Sequence, residues 1–392
     1  MGKAWRRGAR WFPVSKRELV LLAALLLLTV PLQLLVQWKV ITGIPPEGAH
    51  AHAHVHEHEV GGEHSHEEGE HGEEDHGEED LGGNLIPNYG FEVGTREQAW
   101  GWHPRVNGSS VVFRDEKVRR RGTASGAVAG EAVSSGPSGW AFSLPVIPRG
   151  RGLLLRGFVL SRLERGGAYF LFRASRHLEN GEVVPLVEAS RVQDESLYDW
   201  EEMSLAAAVP PDADLVEVEV GMYGLGKAWF DDLSLEVVEA PELPVGTNVI
   251  ANPSFEDGLE GWLPFGKRGE GDGLSVEGIP GRRSLVLRSD GGKAWGVCQG
   301  LSELPSSGKI GIEIRAGSQL EDGKAYLDLF VFYPRGPRLV RVGELAGAGG
   351  VRTFKAEVPL EEGPRGAWVG LAVDGRGALW VEEVKLTLDV GG

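Results

Sequence analysis

Asn84-Leu85-Ile86-Pro87-Asn88-Tyr89-Gly90-Phe91-Glu92, with Gly101-Trp102 shortly after it, returns as Asn248-Val249-Ile250-Ala251-Asn252-Pro253-Ser254-Phe255-Glu256, with Gly261-Trp262. A closing phrase returns as well: Trp229-Phe230-Asp231-Asp232-Leu233-Ser234-Leu235 recurs as Trp380-Val381-Glu382-Glu383-Val384-Lys385-Leu386. A shared opening and a shared close, so far apart, mark two complete domains, 84–239 and 247–390, since solenoid repeats have periods of about 20–50 residues. Between these marks apolar and polar residues alternate on a period of two. The first copy does so at Leu153–Leu163, Ala168–Ala174, Leu215–Tyr223 and Ala228–Val238, the second at Ile310–Arg315, Ala325–Tyr333, Thr353–Leu360, Trp368–Val373 and Leu379–Leu388. Short alternating runs punctuated by Gly, Pro and Asp predict an all-β chain of antiparallel sandwiches or barrels. The 58 glycines fit many tight turns. A Pro-containing hinge at 239–246 joins the copies.

Ahead of the domains the chain changes character twice. Leu19 to Val36 form an almost unbroken apolar run, and with its flanking residues the segment 18–41 is long enough for a membrane helix, which needs about 20 residues. Lys3, Arg6, Arg7, Arg10, Lys16 and Arg17 precede this run, and only Lys39 follows it before the chain turns acidic. The positive-inside rule predicts a cytoplasmic tail at 1–17, a single-pass helix at 18–41, and an extracytoplasmic remainder. A cleaved signal peptide is the alternative, against which the apolar run is long for an h-region. Residues 42–83 hold 13 acids, nine of the eleven histidines and no Lys or Arg, with no apolar periodicity. Such a composition predicts a disordered tether.

Charge and cysteine content narrow the function. Residues 1–40 carry +6, the tether −13 and the two domains −10, within a net −17. Acidic domains argue against nucleic acid or anionic lipid headgroups as partners. Cys298 is the one cysteine, so no internal disulfide forms. Its strand-like surroundings predict an inert core thiol. No Gly-x-Ser-x-Gly, His-Glu-x-x-His, Cys-x-x-Cys or phosphate-loop motif occurs. Once anchor, tether and two sandwiches are assigned, no stretch remains for a catalytic domain, and a non-enzyme is expected.

The opening Asn-Leu-Ile-x-Asn-x-x-Phe-Glu, the Gly-Trp after it and the closing aromatic-x-Asp-Asp-aliphatic-x-Leu resemble carbohydrate-binding modules of the cellulase-C type. The resemblance covers 84–239 and 248–390 and implies two tandem jelly-roll β-sandwiches of the galactose-binding-like class. It further implies a structural calcium where opening and closing segments meet, held by Glu92 and Asp231 in the first copy and by Glu256 and Glu382 in the second. The second copy departs from the pattern at Glu382-Glu383, where Asp-Asp is expected. Alternation along the closing strand puts Trp229, Asp231, Leu233 and Leu235 on one face, so Asp231 points inward and needs a cation, backbone amides or an Arg.

Two strands offer a sugar-binding face. Phe170, Phe172 and Ala174, like Leu327, Leu329 and Val331, form uniformly apolar faces and are expected core. The opposite faces carry Tyr169 and Arg173 in the first copy, and Tyr326, Asp328, Phe330 and Phe332 in the second. Tyr223 and Trp368 fall on non-core faces of a neighbouring run. Mixed aromatic and charged groups suit a glycan, whose C–H faces pack on rings while its hydroxyls take polar partners. If loops cover that face, the same aromatics pad the domain. Trp102, Trp200, Trp229, Trp262 and Trp380 are expected core. Trp140 and Trp295 occupy matching places and fit either role.

The tether is the last candidate site. His50, His52, His54, His56 and His58 alternate strictly, and His64, His66, His71 and His76 follow among carboxylates. Imidazole with carboxylate suits zinc and other transition metals, and a hydrophilic spacer of biased composition is the alternative. The expected function is that of a non-catalytic, membrane-anchored binding protein that recognises a glycan. The alternative is an assembly protein whose sandwiches bind protein partners at the cell surface.

Overall fold

The computed structural model describes residues 83–241, 245–302, 304–360 and 363–390. The expected tail, the membrane segment at 18–41 and the tether histidines from His50 to His76 lie outside the described residues. Among the described residues every regular element is a strand, and none is a helix long and apolar enough to cross a membrane.

Each copy folds as two facing five-stranded antiparallel layers. In module 1 one layer runs β2 (Ser110–Asp115), β3 (Ser125–Gly130), the second half of β8 (Leu215–Val238), the first half of β5 (Gly152–His177) and β7 (Glu201–Ala208). Its other layer runs β6 (Val183–Gln193), the second half of β5, the first half of β8, β4 (Ser138–Ser143) and β1 (His103–Arg105). Module 2 repeats the order with separate strands. One layer is β10 (Gly273–Ile279), β11 (Arg282–Asp290), β18 (Arg376–Asp389), β13 (Gly308–Leu320) and β16 (Ala348–Leu360). The other, the face layer, is β15 (Gly336–Leu345), β14 (Lys324–Tyr333), β17 (Gly366–Asp374), β12 (Trp295–Ser302) and β9 (Leu263–Gly266).

In module 1, β5 and β8 bend from one layer into the other where Gly166 pairs with Gly224. Both have positive φ, and a Cβ would lie 1.9 Å from the Tyr223 carbonyl at Gly166 and 2.3 Å from the Arg165 carbonyl at Gly224. Only glycine fits that crossing.

The repeated motif is a latch between chain ends. Asn84 Oδ1 accepts the amides of Ile86 (3.0 Å) and Leu235 (2.9 Å), and its Nδ2 donates to the Leu233 carbonyl at 2.9 Å. Asn248 makes the same three bonds with Ile250, Leu386 and Val384. The second asparagine, Asn88 or Asn252, takes the amide five residues on and orders the loop. Phe91 and Phe255 then turn into the core in a left-handed conformation, fully buried beside Trp102 and Trp262.

Phe170, Phe172 and Ala174 lie in the core of module 1, and Leu327, Leu329 and Val331 in that of module 2, as the alternation predicts. Trp140 and Trp295 are core residues too. The closing strand differs from expectation. Ala228 and Phe230 point into the core, while Trp229 lies on the outer surface of its layer in a separate cluster with Ala127 and Leu160. Asp232, at φ 49°, adds a residue to the strand and flips its phase, so Leu233 and Leu235 return to the core. Trp229 and Leu233 therefore do not share a face. The same slip near Glu383 leaves Trp380 half-buried outside, over Gly317. Trp200 is half-buried against the Trp229 cluster, not core.

Candidate functional site

Tyr169 and Tyr223 do stand opposite the core-facing residues, but neither is open: they are 0% and 1% exposed. Module 2 covers them. With Leu171 and Val192 they join an apolar cluster that includes Leu259, Leu263 and Cys298 of module 2. Strand β6 lies against the outer side of module 2's face layer so closely that a Cβ on Gly300 would sit 1.6 Å from the Glu188 carbonyl oxygen. Polar ties border the contact. The Leu259 amide donates to Asp194 at 2.7 Å, Arg191 pairs with Glu260, and Arg365 Nε donates to Asp212 at 2.7 Å. The two copies form a seam in place of two independent faces. Alternation along a strand reports which side a residue faces, not what docks there.

A charged ladder runs beside the seam in module 1. Tyr169 Oη donates to Glu219 Oε1 at 2.5 Å, and Glu219 Oε2 accepts from Arg173 (2.9 Å) and Arg105 (3.1 Å). Arg105 also reaches Glu217 at 2.7 Å, and Arg173 reaches Glu188 at 3.1 Å. Burial alone would raise the Glu219 carboxyl, but Arg173 and Arg105 outweigh it and hold it below the ordinary range. Burial, then Glu219, pushes the Tyr169 phenol well up. Arg105, Glu188, Glu217 and Glu219 escaped the sequence reading. The two glutamates between Leu215 and Tyr223 were within reach of it, because Val216, Val218, Val220 and Met222 take the core side. Arg105 sits in a three-residue strand with no period to read.

Module 2 contributes aromatics. Trp368, half-buried, packs on Phe265 (centroids 4.9 Å apart) and Phe330 (5.1 Å). Phe330 and Phe332 are each only 7% exposed, so they back the surface instead of forming it. Tyr326 is half-buried with the Arg341 guanidinium 4.1 Å over its ring. Arg341 also pairs with Asp328, whose carboxyl burial pushes up to about 6 although Arg341 pulls the other way. Cys298 is buried at the seam near Glu188 and Arg173, and burial pushes its thiol well up.

The expected calcium ligands are arranged differently in the two copies. A Cβ on Gly90 would lie 3.2 Å from Glu92 Oε1 and 3.4 Å from Asp231 Oδ1, so the two carboxylates flank one point. Asp231 is fully buried and accepts the amides of Arg120 (2.7 Å), Arg121 (3.1 Å) and Asp232 (2.8 Å). Burial still raises its carboxyl despite those three donors. Glu92 in turn accepts the Thr123 amide at 2.7 Å and its hydroxyl at 2.5 Å, so the two carboxylates supply two of the about six to eight oxygens that calcium takes. In module 2, Glu256 takes the amides of Gly281 and Arg283, while Glu382 pairs with Arg315 at 2.8 Å. Arg315 supplies the positive charge that a cation would bring. Among the described residues no group of three or more His, Cys, Asp or Glu is set to hold a metal.

Neither a family model nor a curated protein matches the chain. Solved structures do. The tandem of two family 22 carbohydrate-binding modules from Paenibacillus barcinonensis Xyn10C is 17% identical, with 77% of this chain and 96% of that one covered and a TM-score of 0.30. The first of those two modules, described as a xylan-binding domain, is 18% identical over 41% of this chain and 96% of that one, at a TM-score of 0.30. The first family 22 module with the GH10 module of Clostridium thermocellum Xyn10B is 17% identical over 40% of this chain and 28% of that one, at 0.30. The modules named there are of family 22. At these identities and scores, function has to be argued from this chain's own residues.

Proposed function

We propose that the chain is a non-catalytic, membrane-anchored binding protein that holds a glycan along the rim of the intermodule seam. What supports the reading is one juxtaposition. Half-buried aromatics, Trp368, Tyr326 and Phe265, stand near side chains already ordered by charge pairing, Arg341 with Asp328 and Arg173 with Glu188. Ordered polar groups beside aromatic rings bind sugars without first losing rotamer freedom. Tyr169 and Tyr223 act beneath the rim, not on it. Xylan, the ligand named for one of the modules above, is the first polysaccharide to test. The full chain should be retained on it, and Trp368→Ala with Tyr326→Ala should release it while the β-sheet spectrum is unchanged. Retention by the folded double variant would overturn the assignment.

A second reading, assembly with protein partners, draws on a different observation. Tyr89, Val93 and Trp100 are 50%, 58% and 58% exposed on the opening loop of module 1. The matching loop of module 2 is the one that docks on Asp194 and Arg191.

In module 1 we also assign Glu92 and Asp231 as calcium ligands, completed by backbone carbonyls as this ion prefers. The tether histidines remain a proposed site for zinc.

A further inference from the structure

Arg268, in the loop between β9 and β10, is 8% exposed and has neither a hydrogen bond nor an ion pair among the described residues. Its guanidinium lies 5.0 Å from the centre of the Trp295 ring, and its Nε is buried with no acceptor. Across the seam Tyr223 of module 1 is 1% exposed, and its hydroxyl is likewise without a partner. Trp295, on which Arg268 stacks, shares one apolar cluster with Tyr223, which brings both groups to the seam. Two carboxylates stand near and are otherwise engaged. Asp272 accepts the amides of Gly269 (2.6 Å) and Asp290 (3.0 Å), and Asp194 accepts that of Leu259 (2.7 Å).

A buried guanidinium costs several kcal/mol unless paired, so an unpaired one is expensive to keep. Arginine only donates, and the unpartnered Tyr223 hydroxyl is free to donate as well. What both lack is an acceptor, and a negatively charged one would also offset the burial of the cation. Planar carboxylate and tetrahedral sulfate both match a guanidinium fork. We propose that Arg268 and Tyr223 form an oxyanion site between the modules, which takes the carboxylate or sulfate of an acidic sugar or the free ion. Such an anion would bridge the modules and tighten the seam. The inference does not rest on the glycan reading, which concerns a different surface and neutral probes.

Calorimetry of the full chain tests it, with sodium glucuronate and sodium sulfate set against glucose and sodium chloride at matched ionic strength. Near saturation each of the two anions should raise the melting temperature by about 2–4 °C more than chloride. Arg268→Met keeps an apolar stem against Trp295 and should abolish the rise. Its own ligand-free midpoint should lie above that of the parent. Tyr223→Phe, which removes only the hydroxyl, should weaken the response about tenfold in apparent affinity. A rise with glucuronate alone assigns the site to a sugar acid, and a rise with sulfate alone to a sulfated ligand or the free ion. No rise beyond that given by chloride, or a full rise in both variants, would overturn the proposal.

Discussion

Replacing Gly300 by valine should open the seam without unfolding either sandwich. A Cβ there would lie 1.6 Å from the Glu188 oxygen and 2.6 Å from its carbonyl carbon, whereas ordinary contact begins at 3.4 Å. Strands β6 and β12 must therefore part by about 1.8 Å, and both obstructing groups are backbone in paired strands, with no rotamer to escape into. Overpacking of this kind costs about 1–3 kcal/mol. Movement on that scale also breaks the Asp194–Leu259 bond, a charge-assisted contact worth about 1.5–3 kcal/mol. The melting temperature should fall by about 5–10 °C. Cys298, the chain's one thiol, is 2% exposed at this seam, which provides a direct reporter. In the parent it should resist a thiol reagent, and in Gly300→Val it should react at a rate set by the open population. Gly350→Ala is the control, since nothing lies within 4 Å of its Cβ position. An inert thiol and an unchanged midpoint in Gly300→Val would refute the face-to-face packing.

Asn84→Ala removes three hydrogen bonds, leaves the buried Leu235 amide without its side-chain acceptor, and should cost about 2–4 kcal/mol in chemical denaturation. A loss below about 0.5 kcal/mol would mean that the latch is not needed to close module 1. Asp328 has a folded-state pKa pushed up to about 6, so the folded state holds its proton longer than the unfolded chain does. Stability should therefore decline by about 2–3 kcal/mol as pH rises from about 4 to 6. Asp328→Asn should flatten that decline in pH-dependent melting, and an unaltered profile would show that other groups cause it. Chelation should lower the melting temperature of the parent, Glu92→Gln should abolish the effect, and Glu256→Gln should not. Equal chelator sensitivity in all three would place the cation elsewhere.

Strand alternation is local, and a run such as Phe170-Leu171-Phe172-Arg173-Ala174 carries its own inside and outside. The two cores and the duplicated β architecture were therefore legible in the sequence, while the meeting of opening and closing segments was implied by the resemblance alone. The phase of the closing strand was not, because the left-handed turn at Asp232 depends on the partner strand and not on the residues' polarity. The candidate site was legible only in outline. Tyr169, Arg173, Tyr223, Tyr326 and Trp368 were assigned to non-core faces, yet two of the five lie beneath the second module. Burial by a neighbour depends on shape matching between surfaces far apart in the chain, for which a sequence has no period. Arg365 meeting Asp212 is a consequence of that docking, so charges 153 residues apart meet only once both sandwiches have formed, whereas Arg105 joins Glu219 within module 1.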